Sequence, residues 1–227
     1  MLAFNGALRP KSLTPDPFFS SVNLLMHFDD SFVDNSSLAT SLTTVGTIQT
    51  TATNTKFGSA CFLGTAQGGL RLTTGLTPYS FGTGSFTIEA WIYLATTFAT
   101  AGIIAGGRTS ITDSTAWLFY VTGINACFLQ NNAANVVIGS MVTNSWNHVA
   151  VSRTGTSTRL FINGNQAQIT TTDTRNYACN ELNVGFDGSG TSNGNSLNGR
   201  MDDLRITKGY GRYTANFTPP TAAFPNF

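Results

Sequence analysis

The sequence predicts an all-β protein built as a single antiparallel β-sandwich with an extended N-terminal arm. Three observations predict it. Only Glu89 and Glu181 are glutamates and only Lys11, Lys56 and Lys208 are lysines, so the residues that normally furnish surface helices are scarce. Thr, Ser, Asn and Gly take their place, as in short strands joined by tight turns. About a dozen short apolar or alternating segments follow one another without a composition shift, and that number in one domain implies two packed sheets.

In chain order, residues 1–20 stand apart. Pro10, Pro15 and Pro17 forbid regular helix and disfavour a central strand. Phe4, Leu8, Leu13, Phe18 and Phe19 are too apolar for a disordered tail, which marks the segment as an arm docking in a groove of its own domain or of a partner. VNLLMHF (22–28) is nearly continuously apolar and suits a strand covered on both faces. Short strands are expected near 43–49, 59–63 and 68–72. SFTIEAWIYL (85–94) alternates: Phe86, Ile88, Ala90, Ile92 and Leu94 face one way, Thr87, Glu89, Trp91 and Tyr93 the other.

GIIAGG, AWLFYVT, ACFLQ and NVVIGS add further strands. HVAVSRTGTSTRLFINGNQAQI contains two hairpins, turning at Thr154–Thr156 and at Asn163-Gly164, because Asn-Gly tolerates positive φ at both positions. NELNVGF and RMDDLRI close the series. Tyr213–Phe217 reads as one helical turn ended by Pro219-Pro220, and the apolar TAAFPNF packs on the sandwich or on a partner. The expected division is an arm over 1–20, a sandwich over 21–209 and a tail over 210–227.

Three segments carry a resemblance: SFTIEAWIYL, WNHVAVSRTGTSTRLFINGNQ (146–166) and NGRMDDLRITKGYGRYTANFTPPTAAFP (198–225). Together they resemble the laminin-G-like, concanavalin-A-type jelly-roll modules of bacteriophage virion proteins, over about Val22 to Phe224. The resemblance implies a jelly roll in which Arg212 and Tyr213 pin the tail turn onto the sheet. That fold hosts lectins, glycosidases and scaffolds alike, so function rests on the sites.

Enzyme chemistry finds little footing. A glycosidase needs two carboxyls roughly 5–5.5 Å apart when retaining and roughly 6.5–9.5 Å when inverting. Glu89 has Thr87 and Trp91 as same-face neighbours, and Asp202 and Asp203, being adjacent, point to opposite faces of a regular strand. His27 and His148 sit inside strands and read as hydrogen-bonded sheet residues. No Gly-x-Ser-x-Gly elbow exists, and the loop DGSGTSNGNSLNG (187–199) lacks the lysine and helix of a phosphate cradle. The expectation is a protein without catalytic residues.

Binding remains. Trp91, Tyr93, Trp117 and Tyr120, with Asn131, Asn132, Asn135 and Asn195 in loops, are the candidates for stacking and hydrogen-bonding a glycan. Their alternative role is packing. Asp29, Asp30, Asp34, Asp187, Asp202 and Asp203 offer hard oxygen donors, and Asp203 is the candidate for a structural calcium; turn-capping, or pairing of Asp202 or Asp203 with Arg200 or Arg205, is the alternative. No other cofactor is expected.

Net charge is +1 with no basic cluster, which argues against nucleic acid and anionic membrane as partners. No run of 18 apolar residues exists. MLAFNGALRPKSLTPDPFF is a poor secretion signal, and Cys61, Cys127 and Cys179 read as buried free thiols, so folding in a reducing cytoplasm is expected. The preferred reading is a non-enzymatic virion surface protein made in the host cytoplasm, decorating a capsid or tail appendage through contacts with other virion proteins. The alternative is a tail-fibre or receptor-binding lectin module for host glycans. A homotrimer fits either reading without being indicated by any residue pattern.

Overall fold

The computed structural model describes residues 14–29, 31–64, 68–130, 133–188 and 196–227. Within them the chain forms two antiparallel sheets packed face to face. The larger contains β1 (Val22–Met26), β3 (Gln49–Thr51), β4 (Cys61–Leu63), β6 (Phe86–Tyr93), β11 (Trp146–Thr154), β12 (Ser157–Ile162), β13 (Asn165–Thr170) and β15 (Arg200–Lys208). Its order is β13-β12-β11-β6-β15-β4-β3, with β1 also paired to β15. The smaller contains β2 (Thr43–Gly46), β5 (Gly68–Leu72), β7 (Phe98–Gly106), β8 (Trp117–Gly123), β9 (Asn125–Gln130), β10 (Val137–Ser140) and β14 (Leu182–Val184). It runs β10-β9-β8-β7-β14-β5-β2.

Side-chain alternation decides which residues fill the space between the sheets. From β6, Phe86, Ile88, Ala90, Ile92 and Leu94 enter the core, as their period-two spacing requires. Trp117, Phe119 and Val121 enter from β8, Ala126 and Phe128 from β9, and Met201, Leu204 and Ile206 from β15. Phe81 stacks on Phe86 at 4.3 Å between ring centres and tilts against Trp117 at 5.1 Å. Both hairpins form where expected, with Gly155 at φ 58° and Asn163-Gly164 at 51° and 78°.

The outward face of the larger sheet is the unusual one. In an open sandwich it would be solvated. Here seven of the eight β6 residues are buried, those of both faces. The cover is the chain's own end. From Gly209 the tail crosses the sheet, and Tyr213 and Phe217 stack at 3.6 Å and 5° while packing edge-on against Phe161 and His148. The segment expected as a helical turn is an extended bend, because its residues bond the sheet rather than one another: Tyr213 N donates to Ser152 Oγ at 3.1 Å, and Phe217 N to Gly164 O at 2.9 Å. Gly164 admits that contact, since a Cβ there would stand 1.9 Å from Phe217 O.

Further along, Phe224 packs on Val22 and Leu25, and Ala223 on Phe57 and Trp91. The described base of the N-terminal arm lies on its own domain: Phe18 stacks on Tyr210 at 3.6 Å, Phe19 packs beside Phe224, and Asp16 N donates to Phe227 O at 2.9 Å. Phe4, Leu8 and Leu13 fall outside the described residues. Cys61, Cys127 and Cys179 are buried free thiols, pushed up to about 12, 11 and 12 by burial above all. Among the described residues, no helix is long and apolar enough to cross a membrane.

Candidate functional site

Two parts of the larger sheet's outward face hold the molecule's notable chemistry. The first is a sealed ionic network. Glu89, wholly buried on β6, receives Arg205 Nη2 at 2.8 Å and Nε at 3.0 Å, and Tyr213 Oη at 2.7 Å. His148 Nε2 lies 3.2 Å from its other side without an aligned hydrogen bond. Arg205 and Arg212 also reach Asp16 at 3.0 and 2.7 Å, tying arm, sheet and tail together. Burial pushes the Glu89 carboxyl up, but the Arg205 guanidinium, then His148 and Arg212, override it and hold the group well below the usual carboxylate range. Glu89 is a charged strut with both oxygens engaged by Arg205 and Tyr213. The expected roles of Arg212 and Tyr213 in pinning the tail match this geometry.

Asp202 and Asp203 do not divide between faces as a regular strand would dictate. Asp202 stands opposite Trp91 and Arg205 opposite Glu89, so Asp203 and Leu204 share the single partner Ala90 in a bulge, with Asp203 at φ 47°. Both carboxyls therefore meet the cover. Asp202 Oδ2 accepts Lys56 N at 3.1 Å and Phe57 N at 3.0 Å, while Asp203 accepts Phe224 N at 2.8 Å and bonds the His27 ring. Among the described residues, Arg205 pairs with Glu89 and Asp16 and Arg200 bonds Thr53 O, so the alternative cross-sheet pairing of these arginines with Asp202 or Asp203 is not the arrangement found.

Asp203, the candidate calcium ligand, has its carboxylate committed to partners within the protein. Both its oxygens are engaged in anchoring β1 and the tail, and no group of three or more His, Cys, Asp or Glu able to hold a metal ion occurs among the described residues. Asp34 is a turn cap, accepting from Leu25 N, Ser36 N and Thr40 N, and Asp187 pairs with Arg108 at 2.9 Å. Asp30 falls outside the described residues.

The second part is the uncovered end of the same face. There the register aligns the first residue of β11, the last of β6 and the first of β15: Trp146, Tyr93 and Arg200. All three are partly exposed. The Tyr93 and Trp146 rings lie 5.8 Å apart, and the Arg200 guanidinium sits 5.3 Å from the Tyr93 ring, with its Nε donating to Thr53 O at 3.2 Å. Gly199 lets β15 approach, since a Cβ would be 2.6 Å from Tyr93 O. Behind this row lies Trp91, 5% exposed, packed edge-on against Phe57 and His148 and capped by Lys56 Nζ at 3.7 Å. The indole N–H groups of Trp91 and Trp146 are enclosed without an acceptor among the described residues.

The four expected glycan-stacking residues thus separate. Tyr93 lies in the open row, and Trp91 supports it from beneath. Trp117 is a correction: its ring is wholly buried between the sheets with Nε1 donating to Tyr79 O at 2.9 Å, leaving no face for a ligand. Tyr120 points outward from the smaller sheet, where its hydroxyl donates to Asn135 at 2.8 Å, so it joins no site with Tyr93. Asn131, Asn132 and Asn195 lie outside the described residues. Trp146 and Arg200 were missed. The signal for Trp146 was present: it begins a strand two residues before His148, hence on that residue's face.

Residues 63–210 match the laminin-G-type family model described as the concanavalin A-like lectin/glucanases superfamily. The chain belongs to that superfamily. Its fold resembles domain 4 of AbnA, a GH43 extracellular arabinanase from Geobacillus stearothermophilus, solved with arabinotriose (TM-score 0.61, 17% identity, 83% of this chain and 93% of that one). It also resembles a botulinum neurotoxin type C structure whose description concerns cell entry through two ganglioside molecules (TM-score 0.62, 16% identity, 85% of this chain and 49% of that one). A third is the binding domain of botulinum neurotoxin DC with rat synaptotagmin II (TM-score 0.63, 15% identity, 85% and 49%). The chain spans about half the length of these toxin structures. No curated protein sequence matches it.

Proposed function

We propose that this chain is a lectin-like module that binds glycans through the open row Trp146–Tyr93–Arg200. The observation that carries the reading is the contrast on one sheet face. The tail seals most of it, yet two aromatic rings and a guanidinium remain accessible in register at its end. A pyranose presents an apolar face to such a ring and hydroxyls to the flanking polar groups. Solved structures of like fold point the same way, since their descriptions name arabinotriose and gangliosides.

The module binds rather than cleaves. Glu89 is enclosed by Arg205, Tyr213 and His148, where no glycosidic bond reaches it. Screening the protein on a glycan array, with Trp146→Ala and Tyr93→Ala beside it, tests the proposal. At least one glycan class should bind and weaken about tenfold or more in each variant, the usual cost of truncating an aromatic anchor. Binding that ignores both substitutions, or an array without hits, overturns it.

A second reading places the same module on a virion surface, with residues 1–20 docking it onto other virion proteins. It rests on the resemblance of the three segments to phage virion modules and on the apolar residues Phe4, Leu8 and Leu13 ahead of the clamp at Asp16. Removing residues 1–13 should then abolish incorporation into particles and leave glycan binding unchanged. Incorporation that survives the truncation rejects the docking arm.

A further inference from the structure

We propose that the glycans recognised by this row are acidic, carrying a carboxylate that lands on Arg200; the proposal rests on the glycan-binding reading above. Arg205, Arg212, Arg108 and Arg71 each hold a carboxylate at 3.0 Å or less. Arg200 pairs with none among the described residues; its Nε bonds a backbone carbonyl and its plane rests near Tyr93. An arginine held in place by one Nε bond and one ring keeps its outer nitrogens in a preorganised fork, the geometry that accepts a carboxylate through two parallel bonds.

The surroundings reinforce the sign. Lys56 brings a second cation to 3.7 Å from the Trp91 ring. The nearest acid on β15, Asp202, is wholly enclosed. Burial, then the neighbouring Asp203, pushes its carboxyl up to about 8, so Asp202 itself adds little negative charge near neutral pH. Geometry supplies the scale. Trp146, Tyr93 and Arg200 lie on three adjacent strands, about 10 Å across at the usual interstrand spacing. A short oligosaccharide with one sugar on Trp146 places the substituents of a following sugar beside Tyr93 and Arg200.

The experiment compares a galacturonate trimer with its methyl ester, and a mannuronate trimer with its ester, by titration calorimetry at low and high salt. Each pair shares its sugar skeleton and differs only in charge. At least one acid form should bind about tenfold or more tighter than its ester, as expected for a charge-assisted bidentate contact, and the advantage should shrink with salt. Arg200→Gln should erase the difference between acid and ester while leaving the weaker ester binding in place. Arg200→Lys should retain part of the difference, and Trp146→Ala should weaken both forms. Equal binding of acid and ester, or a preference that survives Arg200→Gln, overturns the acidic-glycan proposal and leaves glycan binding standing. If none of the four probes binds, the acidic-ligand assignment fails; if the array is also blank, the glycan reading fails with it.

Discussion

The two halves of one sheet face differ in what covers them. Under the tail, Glu89, Arg205, Asp16 and Tyr213 form a closed set in which every strong charge has an opposite within hydrogen-bond reach. At the uncovered end, on the same three strands, Arg200 has a ring and a carbonyl but no acid among the described residues. Alternation along β6 and β11, together with the bulge at Asp203–Leu204 in β15, puts both sets on one face, so the face alone does not distinguish them. The tail does. Charges that fold under it must be neutralised in pairs because burial unpaired is costly, whereas charges beyond it are free for a ligand.

The largest break in this contrast is Arg205→Met. It leaves Glu89 and Asp16 as buried carboxylates short of a cation, a loss of about 3–5 kcal/mol expected in chemical denaturation. Trp146→Ala should move stability far less, being partly exposed at the sheet end, while acting on glycan affinity. Equal destabilisation by the two would remove the distinction between strut and site.

Acidity should separate two carboxyls of the covered face next. Glu89 is depressed, so its contribution is present above its unfolded value near 4.5 and is lost as pH falls through its lower folded value. Asp202 is raised from 3.8 to about 8, so the folded state favours its protonated form. Its contribution is full below the unfolded value and declines as pH rises toward 8. Asp202→Asn should flatten the decline between pH 4 and 8 and preserve acid lability. An unchanged slope in stability against pH rejects the assignment.

Tyr213→Phe is a smaller probe. It removes the hydroxyl bonded to Glu89 Oε2 at 2.7 Å and keeps the stack on Phe217, for a loss of about 1–3 kcal/mol. Its effect should vanish in a Glu89→Gln, Arg205→Met background if the hydroxyl acts through that carboxylate, a coupling that a double-mutant cycle reads directly. Smallest is Arg200→Gln, with a stability change of about 0.5 kcal/mol or less, because it breaks no ion pair.

The aromatic residues of the strands differ in how far local pattern fixes their place. Alternation places Tyr93 on the face of β6 opposite Phe86, Ile88 and Ile92, and it lies there, at the open end. Trp117 is equally aromatic and equally placed on a strand, but it faces inward, a choice that depends on how the smaller sheet lies against the larger. Asp203 holds His27 and Phe224 N because a bulge turns it toward a tail 21 residues further on, a contact that no local pattern announces.

From local pattern alone came the strands, the core face of β6, both hairpins and the sandwich, since period-two alternation and positive-φ turns depend on near neighbours in the chain. Tertiary structure decided that the tail would lie over Glu89 rather than on a partner. It also decided that Trp146, Tyr93 and Arg200, separated by more than fifty positions each, would share one open row. Register between distant strands and the reach of a folded-back terminus are long-range quantities, and no local spacing encodes them.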